Sequence, residues 1–327
     1  MSSLLQTKIW ADFRATQGWS YNNIDGIFVL RRKLFLGKTF LYAPEVNFNA
    51  IANFDIFLEN AIKIAKINQA IFLRLEILDE SSEGISKQLD KLKEKGFIKA
   101  FEETQPEYRQ IVDISGSEEE ILAQMKEKGR YNIKIAQRKG VQIGTSANVD
   151  EFYRLFQETA KRNGFKIRPK NYFQILLDNL SDDGYAELLE AHFEGQVIAA
   201  EIVTYFRETA TYLYGASGNE SRDTMAPYLL HLEAMRRGKQ RGCNYYDLLA
   251  VAPEGEKTDY RLQTTVEDRS SKTVVRGPKS VDHKYAGISR FKRQFGGRTV
   301  QIVGGYDLVF KPTWYRIFKI VEQFRRH

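Results

Sequence analysis

The chain predicts a layered α+β or α/β fold, on three observations. Helical and extended segments alternate along most of its 327 residues. Three strand-like segments lie close together between 185 and 216, with Glu194-Gly195 as a tight turn between the first two. Hydrophobic residues make up 43% of a chain longer than one core usually holds, so two domains are expected.

Between 51 and 67, Ile51, Phe54, Phe57, Leu58, Ile62 and Ala65 recur at helical spacing, and 70–77 then reads as a buried strand. A second helix covers 83–95 and stops at Gly96, with strand-like stretches at 97–101 and 108–114. One long helix is expected over 117–139. Ser117 is its N-cap, Glu118, Glu119 and Glu120 suit the positive end of the helix dipole, and Gly140 ends it. Helices follow at about 148–163 and 169–180, the latter opened by Pro169. The strands 185–193, 196–206 and 209–216 form an antiparallel meander. Pro227 opens a helix to about 241, and 244–249 is a strand. Residues 254–283, with nine charges between Glu254 and Lys272 and a Gly277-Pro278 pair, read as a loop or insertion. A helix at 287–295, a short strand at 306–310 and a basic helix at 312–326 close the chain. Residues 87–101 and 235–249 share a helix–glycine–strand pattern, too short to establish duplication.

Several functional classes lose support. The single Cys243 permits no internal disulfide and fits a reduced cytoplasm. Neither a secretory signal nor a run of about 18 apolar residues is visible, so a membrane-bound substrate would be met from the surface. No G-x-S-x-G or paired Cys–His signature occurs, and His192, His231, His283 and His327 lack ligand spacing, so no metal site is expected. Neither a Walker A loop nor G-x-G-x-x-G is present, and no cofactor is expected. The net charge of +7 is modest but compatible with a phosphate-rich partner.

Four stretches carry chemistry. Residues 126–139 hold six bases and one acid, with Arg130, Lys134 and Arg138 on one helix face. Such a row can follow a phosphate backbone, although a solvated face reads the same way. In 165–173, Arg168 precedes a helix start and Tyr172 lies one turn in. An arginine beside free N–H groups suits a diphosphate, and capping is the alternative. In 211–218, strand alternation puts Tyr212 and Tyr214 on one face, followed by small residues. Residues 284–300 hold five bases and no acid, including Arg290, Lys292 and Arg293, interleaved with Phe291 and Phe295. Gly296-Gly297 there permits an unusual backbone turn.

Taken together and in order, these stretches resemble the FemABX aminoacyltransferases. The matching segments are 6–14 (Gln-Thr-Lys-Ile-Trp-Ala-Asp-Phe-Arg), 128–134 (Lys-Gly-Arg-Tyr-Asn-Ile-Lys), 168–173 (Arg-Pro-Lys-Asn-Tyr-Phe), Tyr214-Gly215-Ala216-Ser217, Ala226-Pro227-Tyr228-Leu229-Leu230, Tyr246-Asp247-Leu248, and Phe291-Lys292 with Phe295-Gly296-Gly297. The resemblance implies two tandem domains of acyl-CoA N-acyltransferase (GNAT-like) fold. The first would span 1–108 plus 303–327 and bind the precursor. The second would span 109–302 and carry the insertion at about 254–283. It implies transfer of an amino acid from aminoacyl-tRNA to the stem-peptide amine of a peptidoglycan precursor, UDP-MurNAc-pentapeptide or lipid II. By position, Arg14, Arg168 and Tyr172 resemble contacts to the precursor's diphosphate, and Glu76 an acid near its stem peptide. Tyr214, Phe291 and Lys292 resemble the group near the reacting ester. The basic face of Arg130, Lys134, Arg138, Arg290 and Arg293 would hold tRNA. Arg14 stands where a relative has lysine, and the coiled-coil arm of some members is missing. A cytoplasmic monomer, with a peripheral membrane contact where the acceptor is lipid-linked, is the expectation. A non-peptidoglycan amine acceptor and a non-catalytic RNA-binding role stand as alternatives.

Overall fold

The computed structural model describes residues 3–81, 85–254 and 285–326. Helix α1 (Lys8–Thr16) opens on Thr7, whose hydroxyl accepts the Trp10 N–H at 3.2 Å. Strands β1 (Ser20–Ile24), β2 (Ile27–Lys33) and β3 (Thr39–Val46) follow. They are additions to the sequence reading. β1 is Ser-Tyr-Asn-Asn-Ile, mostly polar and part-exposed, and β3 is buried throughout despite Pro44 and Glu45, so neither shows a clean period of two. Helix α2 (Phe54–Ile67) starts where the Asn53 side chain accepts two backbone N–H groups, and it buries Phe54, Phe57, Leu58, Ala61 and Ala65. Strand β4 (Ala70–Glu80), helix α3 (Ser86–Glu94), and strands β5 (Ile98–Lys99) and β6 (Tyr108–Asp113) complete this part.

The helix expected over 117–139 is instead two, α4 (Glu118–Gln124) and α5 (Glu127–Arg138). Met125 and Lys126 are extended between them, with ψ near 150°. Tertiary contacts break the helix: Met125 enters the core, and the Lys126 N–H donates to the Gln294 carbonyl at 3.0 Å. Strand β7 (Gln142–Ser146), helices α6 (Asp150–Asn163) and α7 (Lys170–Leu180), and the meander β8 (Ala186–Phe193), β9 (Gln196–Phe206) and β10 (Thr209–Ser217) follow. Then come α8 (Ala226–Gln240), β11 (Tyr245–Ala250), α9 (Ala286–Lys292), β12 (Arg298–Val309) and α10 (Pro312–Arg326). Apart from Glu254, the expected insertion at 254–283 lies outside the described residues.

The strands make one mixed sheet in the order β1-β2-β3-β4-β12-β6-β11-β10-β9-β8-β7, with β5 also on β12. Its two parallel pairs are β3 with β4 and β10 with β11. β12 was expected as a short strand at 306–310. It is twelve residues long and joins the two halves of the sheet: 298–301 pair with β6 and 302–309 with β4. Its pattern is broken by Gly304 at φ +76°, where a Cβ would come 2.3 Å from the Glu107 carboxylate.

Helices cover both faces around β7 to β11. Leu188, Ala200 and Ile202 pack with Phe152, Phe156 and Phe173 of α6 and α7, a cluster that also takes Trp10 and Phe13 of α1. Leu189, Ala191 and Val203 face the other way, toward Leu230, Ala234 and Met235 of α8. On the other half, α10 places Tyr315 and Phe318 against Phe40 and Phe72. Arg74 ties these elements together, donating to both carboxylate oxygens of Asp307 at 2.7 and 2.8 Å while Tyr315 donates to Asp307 at 2.6 Å.

Candidate active site

Arg14, Arg168, Tyr172 and Tyr214 come together from α1, the segment leading into α7, α7 itself and β10. Arg14, in the last turn of α1, lies with its guanidinium 4.5 Å from the centre of the Trp19 ring. Arg168 stacks at the same distance on Tyr172, in the first turn of α7. The Tyr172 and Tyr214 hydroxyls are 3.1 Å apart. Burial holds the Arg14 guanidinium below its ordinary value, and its other electrostatic neighbours are Tyr172, Arg168, Tyr42 and Tyr214, with no carboxylate among them. The buried Arg14 Nε has no hydrogen-bond partner among the described residues. Two guanidinium groups on an aromatic floor, with no neutralising acid among the described residues, have the chemistry to hold an anion.

Glu76 adjoins this group through Tyr42. It is fully buried in β4, accepting the Gln105 N–H at 2.9 Å and the Tyr42 hydroxyl hydrogen on its other oxygen. Burial pushes its carboxyl up to about 7. Both of its oxygens are engaged, and its link to the site is Tyr42, an electrostatic neighbour of Arg14. Deeper still, Arg109 donates to Glu45 and, at 3.2 Å, to Asp247, and Ser3 donates to Glu45 at 2.5 Å. Arg109 therefore links β3, β6 and β11. The sequence reading gave no role to Trp19, Tyr42, Glu45 or Arg109.

Tyr212 and Tyr214 do not share a face, contrary to the alternation argument. A β-bulge shifts the register of β10 against β9 between them: Tyr212 opposes Val203 and Tyr214 opposes Ile202. Tyr214 packs against Phe173 on the α6/α7 side, with ring centres 5.1 Å apart. Tyr212 lies against His231 on the α8 side at 4.5 Å. Gly215 makes room for it, since a Cβ there would sit 1.9 Å from the Tyr212 hydroxyl.

Lys292 belongs to the Tyr212 side. Its ammonium donates to the Ala250 carbonyl at 2.9 Å and stands 5.6 Å from the Tyr212 ring centre. Only 4% of the residue is exposed, and burial brings the ammonium down to about 8, against the opposing pull of Asp247. His231 Nδ1 is 2.7 Å from the Tyr246 hydroxyl and 3.2 Å from Glu201, and burial holds the imidazole neutral. Glu201 is pushed well above the carboxylate range by burial, and its Oε1 has no partner among the described residues. Glu201, His231, Tyr212, Tyr228 and Phe291 line an open cavity of about 1080 Å³. A lone acid in Val-Ile-Ala-Ala-Glu-Ile-Val is the sequence signal that would have found Glu201.

The two basic stretches of the sequence meet beside this cavity. Gly129 of α5 packs so closely on the 293–295 turn that a Cβ would lie 2.5 Å from the Gln294 carbonyl oxygen. Gly296 and Gly297, at φ +77° and +73°, let that turn settle on the backbone of Gln124 and Ile111. The expected row of cations is revised. Arg130 turns inward and donates to the Met125 carbonyl at the end of α4, which the break at 125–126 leaves open, and Arg293 donates to Ala252. Lys134, Arg138 and Arg290 are exposed. The bases that line the cavity are Lys128, Arg162 and Arg222.

The sheet, with its two helix-covered halves each containing one parallel pair, matches a fold of two GNAT-like domains. The FemAB family model matches residues 76–197 and 185–323. The chain belongs to the FemAB family, and with it to the aminoacyltransferases. It is 21% identical to a lipid II:glycine glycyltransferase of Staphylococcus haemolyticus, over 98% of this chain and 91% of that one. A Staphylococcus aureus protein of the same name is 22% identical over the same shares. The crystal structure of FemX superposes with a TM-score of 0.80 at 20% identity, covering 97% of this chain and 94% of that one. The structure of L-PGS from Bacillus licheniformis gives 0.53 at 14% identity, over 90% and 84%.

Proposed function

We propose that this chain transfers an amino acid from aminoacyl-tRNA to the stem-peptide amine of a peptidoglycan precursor, forming an interpeptide bridge. The observation that carries the reading is the Arg14–Arg168 pair: two guanidinium groups set on Trp19 and Tyr172, neither in a salt bridge with a carboxylate among the described residues. That arrangement suits the diphosphate shared by UDP-MurNAc-pentapeptide and lipid II. The names of the staphylococcal relatives favour the lipid-linked form. The precursor site would belong to a domain of residues 1–108 plus 303–327, and the donor site to residues 109–302. The change of partners along β12 between Gln301 and Ile302 supports that division.

The donor end fits the second cavity. Lys128, Arg162 and Arg222 give it phosphate-binding charge, and Tyr228 and Phe291 give rings for a terminal base. Exposed Lys134, Arg138 and Arg290 extend that charge over the surface. Aminolysis of an ester needs no covalent intermediate once the amine is neutral. The protein aligns amine and ester, and it stabilises the oxyanion that forms. Lys292, an ammonium in a dry site, takes the electrostatic role. Tyr214, fixed by Tyr172, positions the acceptor across β10. The reaction would take place in the cytoplasm, at the inner face of the membrane when the acceptor is lipid-linked.

The test is one incubation with mixed charged tRNAs and either UDP-linked pentapeptide or lipid II, read by mass. Addition of an amino acid residue to either acceptor is the expected result. No addition to either, with RNA binding that ignores charging, would leave the RNA-binding alternative standing.

A further inference from the structure

Helix α10 carries two apolar faces. Tyr315 and Phe318 are buried against Phe72, with ring centres 5.3 and 5.2 Å away. Ile317, Ile320, Val321 and Phe324 follow the i, i+3, i+4, i+7 rule of a second stripe, and they are 37, 54, 36 and 80% exposed. Among the described residues the core uses only the first stripe. Beside the second, the turn between β2 and β3 holds out Phe35 and Leu36, which are 46 and 76% exposed. Leu36 adopts φ +52°, a left-handed conformation that is unfavourable for a leucine. Phe35 packs on Trp314 of α10 at 5.6 Å, so turn and helix form one patch.

The margin of that patch is cationic. The Lys38 ammonium lies 5.4 Å from the Trp314 ring centre, Lys311 is close enough to Lys38 to feel its charge, and Arg316 is exposed on the helix. Glu322 is the one acid in 312–326. Aliphatic and aromatic side chains flanked by tryptophan and bases match an anionic bilayer surface, where the apolar stripe enters the acyl boundary and the cations meet headgroups. The buried stripe of the same helix connects the patch through the core to the anion site: Phe318 lies 5.6 Å from Phe40, Phe40 lies 5.6 Å from Trp19, and Trp19 carries Arg14. Among the described residues no helix is long and apolar enough to cross a membrane, so contact from the surface is the geometry this face offers.

We infer that α10 and the Phe35-Leu36 turn form a docking face for an anionic lipid bilayer, which holds the Arg14–Arg168 site near headgroup level. The docking stands on the patch itself; its use, to present a lipid-linked acceptor, rests on the proposed function.

The test sediments the full chain with vesicles of phosphatidylcholine alone or mixed with phosphatidylglycerol. The wild type is expected to bind the mixed vesicles, less so at high salt. Ile320→Asp with Phe324→Asp, and separately Leu36→Asp, should weaken that binding by about tenfold or more while leaving the melting temperature unchanged. The same variants should keep transfer to a soluble UDP-linked acceptor and lose transfer to a vesicle-borne one. Wild-type protein that stays in the supernatant, or variants that bind as the wild type does, would overturn the docking face. So would a concentration-dependent dimer abolished by the same substitutions, which would assign the patch to a second copy. Vesicle binding as expected without transfer to either acceptor would leave the docking face intact and reject the transfer reading.

Discussion

Tyr172 and Tyr214 meet hydroxyl to hydroxyl at 3.1 Å, joining the first turn of α7 to the middle of β10. Through that contact the Arg168 side chain, stacked on Tyr172, and the Arg14 side chain, among whose electrostatic neighbours both tyrosines count, share one floor. The predictions below follow from how this floor, the buried acid beside it and the lysine across β10 are held.

Arg168→Ala would remove one of the two charge-assisted contacts proposed for the precursor's diphosphate. The KM for UDP-linked pentapeptide should rise by about 10- to 100-fold with kcat much less affected, since hydrogen bonds to charged groups contribute about 1.5–3 kcal/mol. Steady-state kinetics at saturating donor check this, and an unchanged KM rejects the diphosphate role.

Lys292→Met should lower turnover by about 10²–10³ with folding retained. The wild-type rate should also depend on pH in a defined direction. In the proposed role the ammonium is the active form, and burial brings it down to about 8, so the rate should fall as pH rises through about 8. A pH profile that stays flat across that window, or near wild-type turnover of the variant, removes Lys292 from the mechanism.

Glu76 makes stability pH-dependent. Its carboxyl, pushed up to about 7 by burial, binds a proton more tightly in the folded chain than in the unfolded one. The stabilisation is complete below the unfolded value, near 4.5, and is lost as pH rises through about 7. Glu76→Gln, which still accepts from Tyr42, should cancel this slope. Relative to the wild type it should gain up to about 3 kcal/mol between pH 4 and pH 8, read by urea unfolding. Identical slopes for the two proteins would contradict the buried environment of Glu76.

Gly297→Ala and Gly140→Ala test the double-glycine turn. Both positions have φ near +80°, but a Cβ at 297 lands 2.0 Å from the Ile111 carbonyl oxygen, whereas nothing lies within 4 Å at 140. Gly140→Ala should cost about 1 kcal/mol from conformation alone. Gly297→Ala should cost several kcal/mol or fail to fold, because β6 and the 293–297 turn must separate. Equal melting temperatures for the two variants would refute the close approach.

Much of the secondary structure was determined locally. Hydrophobic period marked α2, α6 and α7, with Pro169 at the start of the last, and the Glu194-Gly195 turn marked the meander β8 to β10, because these signals act within a few residues. The order of the motifs also carried the family, and with it the gathering of Arg14, Arg168 and Tyr172; it grouped Tyr214 with Lys292, which the fold puts on the other side of β10. Tertiary structure decided what local rules cannot reach. Contact with Gln294 broke one expected helix into α4 and α5 and turned Arg130 inward to close the gap. A single bulge in β10 sent Tyr212 and Tyr214 to opposite faces, because one extra residue reverses a period of two. The length of β12, hidden by its glycines, emerged from pairing with β4 and β6. Arg109, buried between Glu45 and Asp247, has partners 64 and 138 residues away along the chain, and only the folded sheet brings those charges within reach of one another.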